Sequence, residues 1–479
     1  MTARRLASGG VVDRGRLVPF RWDGRAMEGL AGDSLASALM AAGERVVGRG
    51  FKYHRPRGIM SAGVEEGGAV VSVGSGARRV ANVKAPSVEL VAGLEAFGQN
   101  AWPSVRLDLG RVNDLLSRFF AAGFYYKTFF GVTGRGTWEW MRFEALIRRA
   151  AGMGTATREA DPDWYETVHD HCDLLVVGSG PAGLAAAAAA AEAGLDVMLA
   201  EQDFALGGDL LGAAGPVGEE EAAGWREARL AEIGSHDGVR VLPRTTVFGL
   251  YDGVVAGLVE RVTEGMADPS PHLPRERVRI VRARRIVIAA GAIERGMAFG
   301  DNDRPGVMTA AAARTYAARY GVLPGERIAV AANNDGAYAD AAALARAGAA
   351  VTLTDARAAP PEAVVAAAEA AGVEVVAGSV PVAVSGRRET RGLWIGDHEG
   401  GGRARPDREL PVEVVAVSGG WNPAVHLLSH RKAKPVWSEH LACFLPGETR
   451  EPIHVAGAAS GVWDAGACAL SGRAAALAA

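Results

Sequence analysis

A short apolar run that leads into a glycine-rich turn and then an alanine-rich stretch constrains this chain more than any other feature. The run is Asp-Leu-Leu-Val-Val at 173–177, and the turn after it contains Gly178, Gly180 and Gly183. In such a turn the first glycine permits a tight bend, the second lets a ligand approach the backbone, and the third lets the helix pack close to its strand. Together with an apolar strand at 196–200, the pattern predicts the first strand–helix–strand unit of a parallel, doubly wound α/β sheet.

The residues around this turn have the chemistry of a dinucleotide site. Pro181 and Ala182 would open the helix, whose free N–H groups and dipole favour phosphate at its N-terminus. Glu201 follows the second strand, near the spacing expected for the acid that binds a ribose hydroxyl. We therefore predict a bound dinucleotide, the alternative being a turn of the same fold that binds nothing.

The residues after Glu201 narrow the choice of nucleotide. Gln202 and Asp203 follow it directly, and Gly207 with Gly208 offers a second close approach to the phosphates. Acids at this place would repel a 2′-phosphate, so NADP is the least favoured occupant.

A second unit of the same kind follows later in the chain. Residues 284–295, which include Gly291, resemble the segment with which two-dinucleotide flavoproteins return to their first domain. Residues 327–355 then predict another strand–helix–strand unit, with Asn333, Asn334 and Asp335 where glycines are expected. Because these side chains would crowd a pyrophosphate, we predict that the second unit binds no nicotinamide nucleotide, with both asparagines serving as turn residues or helix caps.

These two units predict an α/β fold of the two-dinucleotide-binding, disulfide-reductase type, built from Rossmann-like FAD/NAD(P)-binding domains. The expected bounds are 171–310 with 411–479 for the dinucleotide-binding domain, and 311–410 for the second, degenerate domain.

The first 95 residues resemble a plant-type ferredoxin β-grasp domain, with short strands and one helix that Asp33 or Ser34 would cap. A [2Fe–2S] cluster in such a domain requires four cysteine thiolates, and this segment contains no cysteine. We therefore predict a module without a cluster, whose basic and aromatic loop at 49–60 packs on a neighbour or faces a cofactor. Residues 96–170 form an aromatic-rich connector, which either lies at an interface or belongs to an internal core.

Composition excludes several classes of function. The net charge of −3 is spread along the chain, which disfavours nucleic acid as a partner. No apolar stretch reaches the length of a membrane span and the N-terminus has no secretory pattern, so we expect a cytoplasmic protein without membrane contact. The three cysteines, Cys172, Cys443 and Cys468, have no spacing typical of disulfides or zinc, and we expect no metal site.

Several long motifs resemble one family, the alpha subunit of heterotetrameric sarcosine oxidase. They are found at 51–66, 113–116, 122–128, 245–251, 302–308 and 418–423. Because the motifs are spread along the sequence, the resemblance spans almost the whole chain. The resemblance implies a complex with beta, gamma and delta subunits that oxidises sarcosine to glycine, with oxygen as acceptor and tetrahydrofolate able to take the one-carbon unit. It also implies that FAD and FMN belong to the beta subunit or its interface, that the alpha subunit binds NAD that is not turned over, and that no catalytic residue lies in this chain. The family's alpha subunit continues into a folate-binding, aminomethyltransferase-like domain, which we expect this chain to lack.

The choice between NAD and FAD depends on the C-terminal segment. Two-dinucleotide flavoproteins usually carry a Gly-Asp pair there, and this chain has Gly457-Ala458 with Trp463 nearby, which favours NAD. By resemblance, the Val247 backbone would meet adenine, Ala182 and residues 201–203 would line the adenosine half, and Ala458 would lie near the nicotinamide half. The alternative is an FAD-bearing electron-transfer subunit of a related amine, proline or opine dehydrogenase.

Overall fold

A computed structural model describes residues 4–119, 136–151, 154–212, 215–266, 268–398 and 404–478. Helices and strands are numbered below in chain order. Short 3₁₀ segments lie at Gly76–Arg78, Ala85–Ser87, Leu109–Arg111, Ser117–Phe119, Gly208–Gly212 and Gly457–Ser460.

The N-terminal module is a five-stranded sheet with one buried helix, as the β-grasp resemblance predicts. Its strands have the order β2-β1-β7-β5-β6, and a small separate pair, β3–β4, lies in the loop after the helix. The helix begins after Ser34, whose side chain accepts from the Ser37 N–H at 3.1 Å, so Ser34 is the cap of the two candidates. The bounds are β1 (Asp13–Trp22), β2 (Arg25–Ala31), α1 (Leu35–Ala41), β3 (Gly48–Arg49), β4 (Pro56–Arg57), β5 (Val70–Val73), β6 (Val80–Lys84) and β7 (Glu95–Gly98).

The connector contains two described helices, α2 (Val112–Leu115) and α3 (Gly136–Ala151). Trp102, Phe119 and Trp138 are exposed, which favours the interface interpretation over an internal core for these three rings. Phe120, Phe124, Tyr125, Tyr126, Phe129 and Phe130 lie outside the described residues.

The first α/β unit has five parallel strands in the order β10-β9-β8-β13-β26, and β11 and β12 extend the sheet from β13 in antiparallel fashion. The alanine-rich helix α4 is buried because its small side chains allow the sheet and a C-terminal helix to approach it closely. The bounds are β8 (Glu166–Val177), α4 (Pro181–Glu192), β9 (Val197–Ala200), α5 (Ala222–Gly234), β10 (Val239–Leu242), β11 (Thr245–Tyr251), β12 (Val255–Arg261), β13 (Glu276–Ile288), β26 (Ile453–Val455) and α10 (Ala465–Ala478).

The second unit is a fully parallel sheet in the order β15-β22-β16-β17-β18. Two of its strands lie outside the expected bounds of 311–410: β15 precedes them, and β22 falls in the segment that we had assigned to the first domain. Both are short strands that join the sheet through distant pairing, which sequence periodicity does not reveal. The bounds are β15 (Val307–Thr309), α6 (Ala310–Tyr320), β16 (Arg327–Ala332), α7 (Gly336–Arg346), β17 (Ala350–Asp355), α8 (Glu362–Ala370), β18 (Glu374–Ala377) and β22 (Val414–Ser418).

Smaller sheets complete the described part of the chain. A three-stranded antiparallel sheet covers one face of the second unit. A two-stranded antiparallel sheet, which we call the crossing, links the two units. The bounds are β19 (Ser379–Ser385), β20 (Gly392–Asp397) and β21 (Arg408–Leu410) for the former, β14 (Ala292–Glu294) and β23 (Trp421–Pro423) for the latter, and α9 (His426–Ser429), β24 (Val436–Ser438) and β25 (Cys443–Leu445) beyond them.

Candidate nucleotide-binding site

The predicted glycine turn joins β8 to α4, and each glycine has a distinct environment. Gly178 has a φ of +98°, and a Cβ there would collide with the carbonyl oxygen of Ala289. A Cβ on Gly183 would collide with the Gly178 carbonyl oxygen, whereas one on Gly180 would meet nothing within 4 Å. The first and third glycines are therefore required by packing, and the second leaves open space beside the helix N-terminus, where a pyrophosphate would approach.

Glu201 lies directly after β9 and its carboxylate points at the turn. Oε2 accepts from the Ser179 N–H at 2.8 Å and from the Ser179 hydroxyl at 2.6 Å, and Oε1 accepts from the Asp203 N–H at 2.8 Å. Burial raises the pKa of this carboxyl above its ordinary value. A carboxylate offers about four acceptor positions, so one position, on Oε1, is left for a further hydrogen-bond donor.

The loop after Glu201 returns to the glycine turn. The Gly207 N–H donates to the Ser179 hydroxyl at 2.9 Å, and a Cβ on Gly208 would lie 3.0 Å from the Gly180 Cα. Gln202 is exposed. Asp203, which we expected beside the adenosine, forms a bidentate ion pair with Arg319 at 2.5 and 3.0 Å. Because this pairing neutralises Asp203, the charge argument against a 2′-phosphate depends on Glu201.

The remaining predicted residues lie on β11, after β13 and in the C-terminal turn. Val247 lies on β11, an edge strand, where its side chain is buried and pairing is irregular between Val247 and Gly249. The Thr245 N–H donates to the Glu201 carbonyl at 2.7 Å, which brings β11 close to Glu201. A Cβ on Gly457 would lie 2.7 Å from the Ala182 Cβ, so Ala458 follows a point of contact with α4. Gly291 follows β13 with a φ of +74°.

The corresponding turn of the second unit has the side chains of Asn333, Asn334 and Asp335 in place of glycines. The Asn334 amide donates to the Ser418 carbonyl and hydroxyl, both at 3.1 Å. Asp335 is the residue that precedes the helix, and its side chain makes no capping hydrogen bond. Of the two alternative roles predicted for the asparagines, turn residue or helix cap, Asn334 has the first, because it lies in the bend before the helix and its side chain binds the neighbouring strand. A Cβ on Gly336 would lie 4.0 Å from the Trp421 indole nitrogen, which places a ring beside this turn.

Glu294, on the crossing between the two units, is a titratable group that sequence reasoning missed. Its Oε2 accepts from the Ala311 N–H at 2.8 Å. Burial, with a smaller contribution from nearby Asp340, raises the pKa of Glu294 to about 8. The charge was visible in the sequence, but its burial depends on contacts with α6 and α7 that no local pattern reveals.

A cavity of about 360 Å³ lies between the N-terminal module and the first α/β unit. Its walls include Val73, Leu94, Phe204, Arg244 and Arg261. This volume is at the lower end of the range for small-molecule pockets. Its walls come from segments far apart in the chain, so no local sequence pattern indicates it.

The loop that would carry a cluster in a ferredoxin is held by hydrogen bonds. Arg49 donates to the Val105 carbonyl at 2.7 Å, His54 Nδ1 lies 2.7 Å from Asp108, and Arg55 donates to Asp114 at 2.8 Å. Glu66, just beyond, accepts from four backbone N–H groups at 2.6–2.8 Å. The loop thus packs on the connector, which is the first of the two roles that we expected.

Residues 172–445 match the model of the pyridine nucleotide-disulphide oxidoreductase family. The chain belongs to this family. Residues 15–101 match the model of a 2Fe-2S iron-sulfur cluster binding domain, but none of them is a cysteine, so the segment cannot hold such a cluster.

The chain is also homologous to alpha subunits of sarcosine oxidase, which confirms the resemblance found in the sequence. It is 44% identical to the sarcosine oxidase subunit alpha of Rhizobium meliloti (strain 1021), over 99% of this chain and 47% of that protein. It is 35% identical to that of Corynebacterium sp. (strain P-1), over 97% of this chain and 43% of that protein. The chain therefore spans about half the length of the curated relatives it matches.

The fold also resembles a solved structure, the L-proline dehydrogenase from P. horikoshii. The TM-score is 0.63 at 17% identity, over 99% of this chain and 75% of that one. At this identity the likeness concerns the fold, and it confirms the predicted α/β class. In the part of the chain that the structure describes, none of the helices combines the length and the hydropathy of a membrane span.

Proposed function

We propose that this chain is the NAD-binding, alpha-type subunit of a sarcosine oxidase complex. The main support is the open space at Gly180 beside the helix N-terminus. The Glu201 carboxylate lies next to this space, hydrogen-bonded to Ser179 between the first two glycines. The 44% identity to a sarcosine oxidase alpha subunit supports the choice of complex.

In this proposal the diphosphate lies against the N-terminus of α4, and the adenosine ribose donates to Oε1 of Glu201. The edge of β11 at Val247 faces the adenine, and Gly208, Gly291, Gly457 and Ala458 surround the remaining half. When bound, NAD would act as a structural ligand, which stabilises the folded state because it binds that state alone.

The C-terminal segment favours NAD over FAD. The turn at Gly457–Ser460 has Ala458 where flavoproteins of this architecture place an aspartate, so no carboxylate is supplied there for a ribityl chain. The resemblance to sarcosine oxidase alpha subunits, and not this turn, is the reason to assign FAD, FMN and the oxidative demethylation of sarcosine to a beta subunit or its interface. The gamma and delta subunits complete the proposed heterotetramer.

Identification of the bound small molecule tests this proposal. The chain is purified, denatured, and its released ligand identified by mass and absorption spectrum. A colourless protein that releases NAD supports the proposal. A yellow protein that releases FAD favours the electron-transfer alternative, and a protein that releases nothing and binds neither nucleotide on titration refutes both.

The partner assignment needs its own test. The chain is mixed with a beta subunit of a sarcosine oxidase, and sarcosine-dependent oxygen uptake is measured. Activity that requires both chains supports an enzyme subunit, whereas a beta subunit equally active alone contradicts it.

A further inference from the structure

Helix α6 (Ala310–Tyr320) belongs to the second unit, yet it carries two arginines that reach into the first. Arg314 and Arg319 are each 4% exposed. A buried guanidinium must be paired, because an unpaired buried charge is costly. Each pairs with an acid in residues 203–212, which we call the nucleotide loop.

Arg319 holds the start of this loop. Its guanidinium makes the bidentate pair with Asp203 at 2.5 and 3.0 Å and lies 5.0 Å from the centre of the Phe204 ring. Bidentate arginine–carboxylate pairs fix geometry as well as charge.

Arg314 holds the end of the loop. It donates to Asp209 at 2.7 Å and to the Gly212 carbonyl, and it pairs with Asp340 of α7 (Gly336–Arg346) at 2.6 Å. A Cβ on Gly212 would lie 3.3 Å from the Thr315 Cα, so the loop touches the backbone of α6 here.

Between these two anchors the loop touches the glycine turn. The Gly207 N–H bonds the Ser179 hydroxyl, which in turn bonds Glu201, and Gly208 approaches Gly180. We propose that Arg314 and Arg319 are positioning residues for the nucleotide: the degenerate second unit clamps the loop of the first, so that the ribose acid and the phosphate turn are ordered before the nucleotide binds. This inference rests on the proposed nucleotide site.

The test compares Arg319→Ala, Arg314→Ala and Arg319→Lys with wild type in the full chain. Nucleotide-free protein is titrated with NAD by calorimetry, and backbone amide exchange is followed separately without nucleotide. If the alanine variants order the loop in about a tenth of molecules, the Kd for NAD rises roughly tenfold. Arg319→Lys keeps the positive charge but cannot form the bidentate pair with Asp203, so it should raise the Kd for NAD by a smaller factor.

Two controls separate positioning from general stability. Arg357→Ala removes an ion pair with Asp335 and Asp355 of the second unit, so it should lower the Tm and leave the Kd within twofold. The double variant Asp203→Arg with Arg319→Asp keeps a reversed pair and should recover much of the lost affinity.

The outcomes distinguish the two proposals. Faster amide exchange at 203–212 in Arg319→Ala, with unchanged exchange at 333–338, supports the clamp even if the ligand proves to be FAD. Unchanged exchange and unchanged Kd in both alanine variants overturn the clamp while the nucleotide site stands. A wild-type chain that binds neither nucleotide refutes the proposed function and the clamp together.

Discussion

The two Rossmann-like units have the same strand–helix–strand order but use their turns in opposite ways. In the first, Gly178 adopts a left-handed φ of +98° and Gly183 brings the helix against the strand. In the second, residues 333–335 show no positive φ, and the third helical residue, where the first unit has Gly183, is Tyr338. The fold survives the loss of these glycines because the sheet and the apolar helix faces stabilise it. The open space at the helix N-terminus, in contrast, is lost when the glycines are replaced.

The acids at the ends of the second strands, Glu201 in the first unit and Asp355 in the second, differ in whether their hydrogen-bond acceptors are already used. Glu201 has three hydrogen bonds within the chain and one acceptor position left. Asp355 is fully buried and accepts from the Tyr338 hydroxyl at 2.8 Å and from Arg357 at 2.7 Å. The second unit thus satisfies its acid with its own side chains, which leaves the first as the unit fitted to an external ligand.

Replacing Gly183 with alanine should have the largest effect. The new Cβ would collide with the Gly178 carbonyl oxygen, which belongs to the backbone and cannot move without opening the turn. We expect loss of bound nucleotide and destabilisation near the upper end of about 1–3 kcal/mol for overpacking, measured by ligand content and thermal unfolding.

Tyr338→Phe is the matched change in the second unit. It removes one hydroxyl that is hydrogen-bonded to Asp355 and should lower the free energy of unfolding by about 1 kcal/mol. The nucleotide content of the protein should stay the same. Gly183→Ala protein that still carries one nucleotide per chain would contradict the contrast between the turns.

Replacing Glu201 with alanine should weaken nucleotide binding without abolishing the fold. Loss of the hydrogen-bonded acceptor should cost roughly 1–3 kcal/mol of binding free energy, seen as a Kd for NAD raised about fivefold to 150-fold. Asp355→Ala should leave the Kd unchanged and lower stability, because Arg357 and Tyr338 lose their partner. Equal effects of both variants on the Kd would mean that both units hold nucleotide.

The crossing between the units should make stability depend on pH through Glu294. Its folded-state pKa of about 8 lies above the ordinary value of 4.5, so the unfolded chain releases this proton first. Protonated Glu294 therefore stabilises the folded state fully below about pH 4.5, and this stabilisation is lost as the pH rises through 8. The free energy of unfolding should fall by up to about 1.4 kcal/mol per pH unit in this window. Urea unfolding at pH 6 and pH 8 should show a smaller loss of stability for Glu294→Gln than for wild type, and identical losses would refute a raised pKa.

The sequence predicted those features that depend on residues close together in the chain. The turn at Gly178, the acid at Glu201 and the helix cap, predicted as Asp33 or Ser34, are local, because each is set by a few neighbouring residues and the periodicity around them. The pairing of Asp203 with Arg319 joins residues 116 positions apart, and the burial of Glu294 depends on helices of the other unit. Such contacts exist only after the units pack, so neither was predicted.

The smallest effect should follow from returning glycines to the second turn. The double variant Asn333→Gly with Asp335→Gly restores the spacing of Gly178 and Gly180, yet Tyr338 still occupies the third helical position and Trp421 still lies beside Gly336. We therefore expect no more nucleotide than the one equivalent per chain that we propose for wild type, by mass analysis of released ligand and by titration. A second equivalent would show that the turn side chains alone close this site, and that the packing of Tyr338 and Trp421 does not.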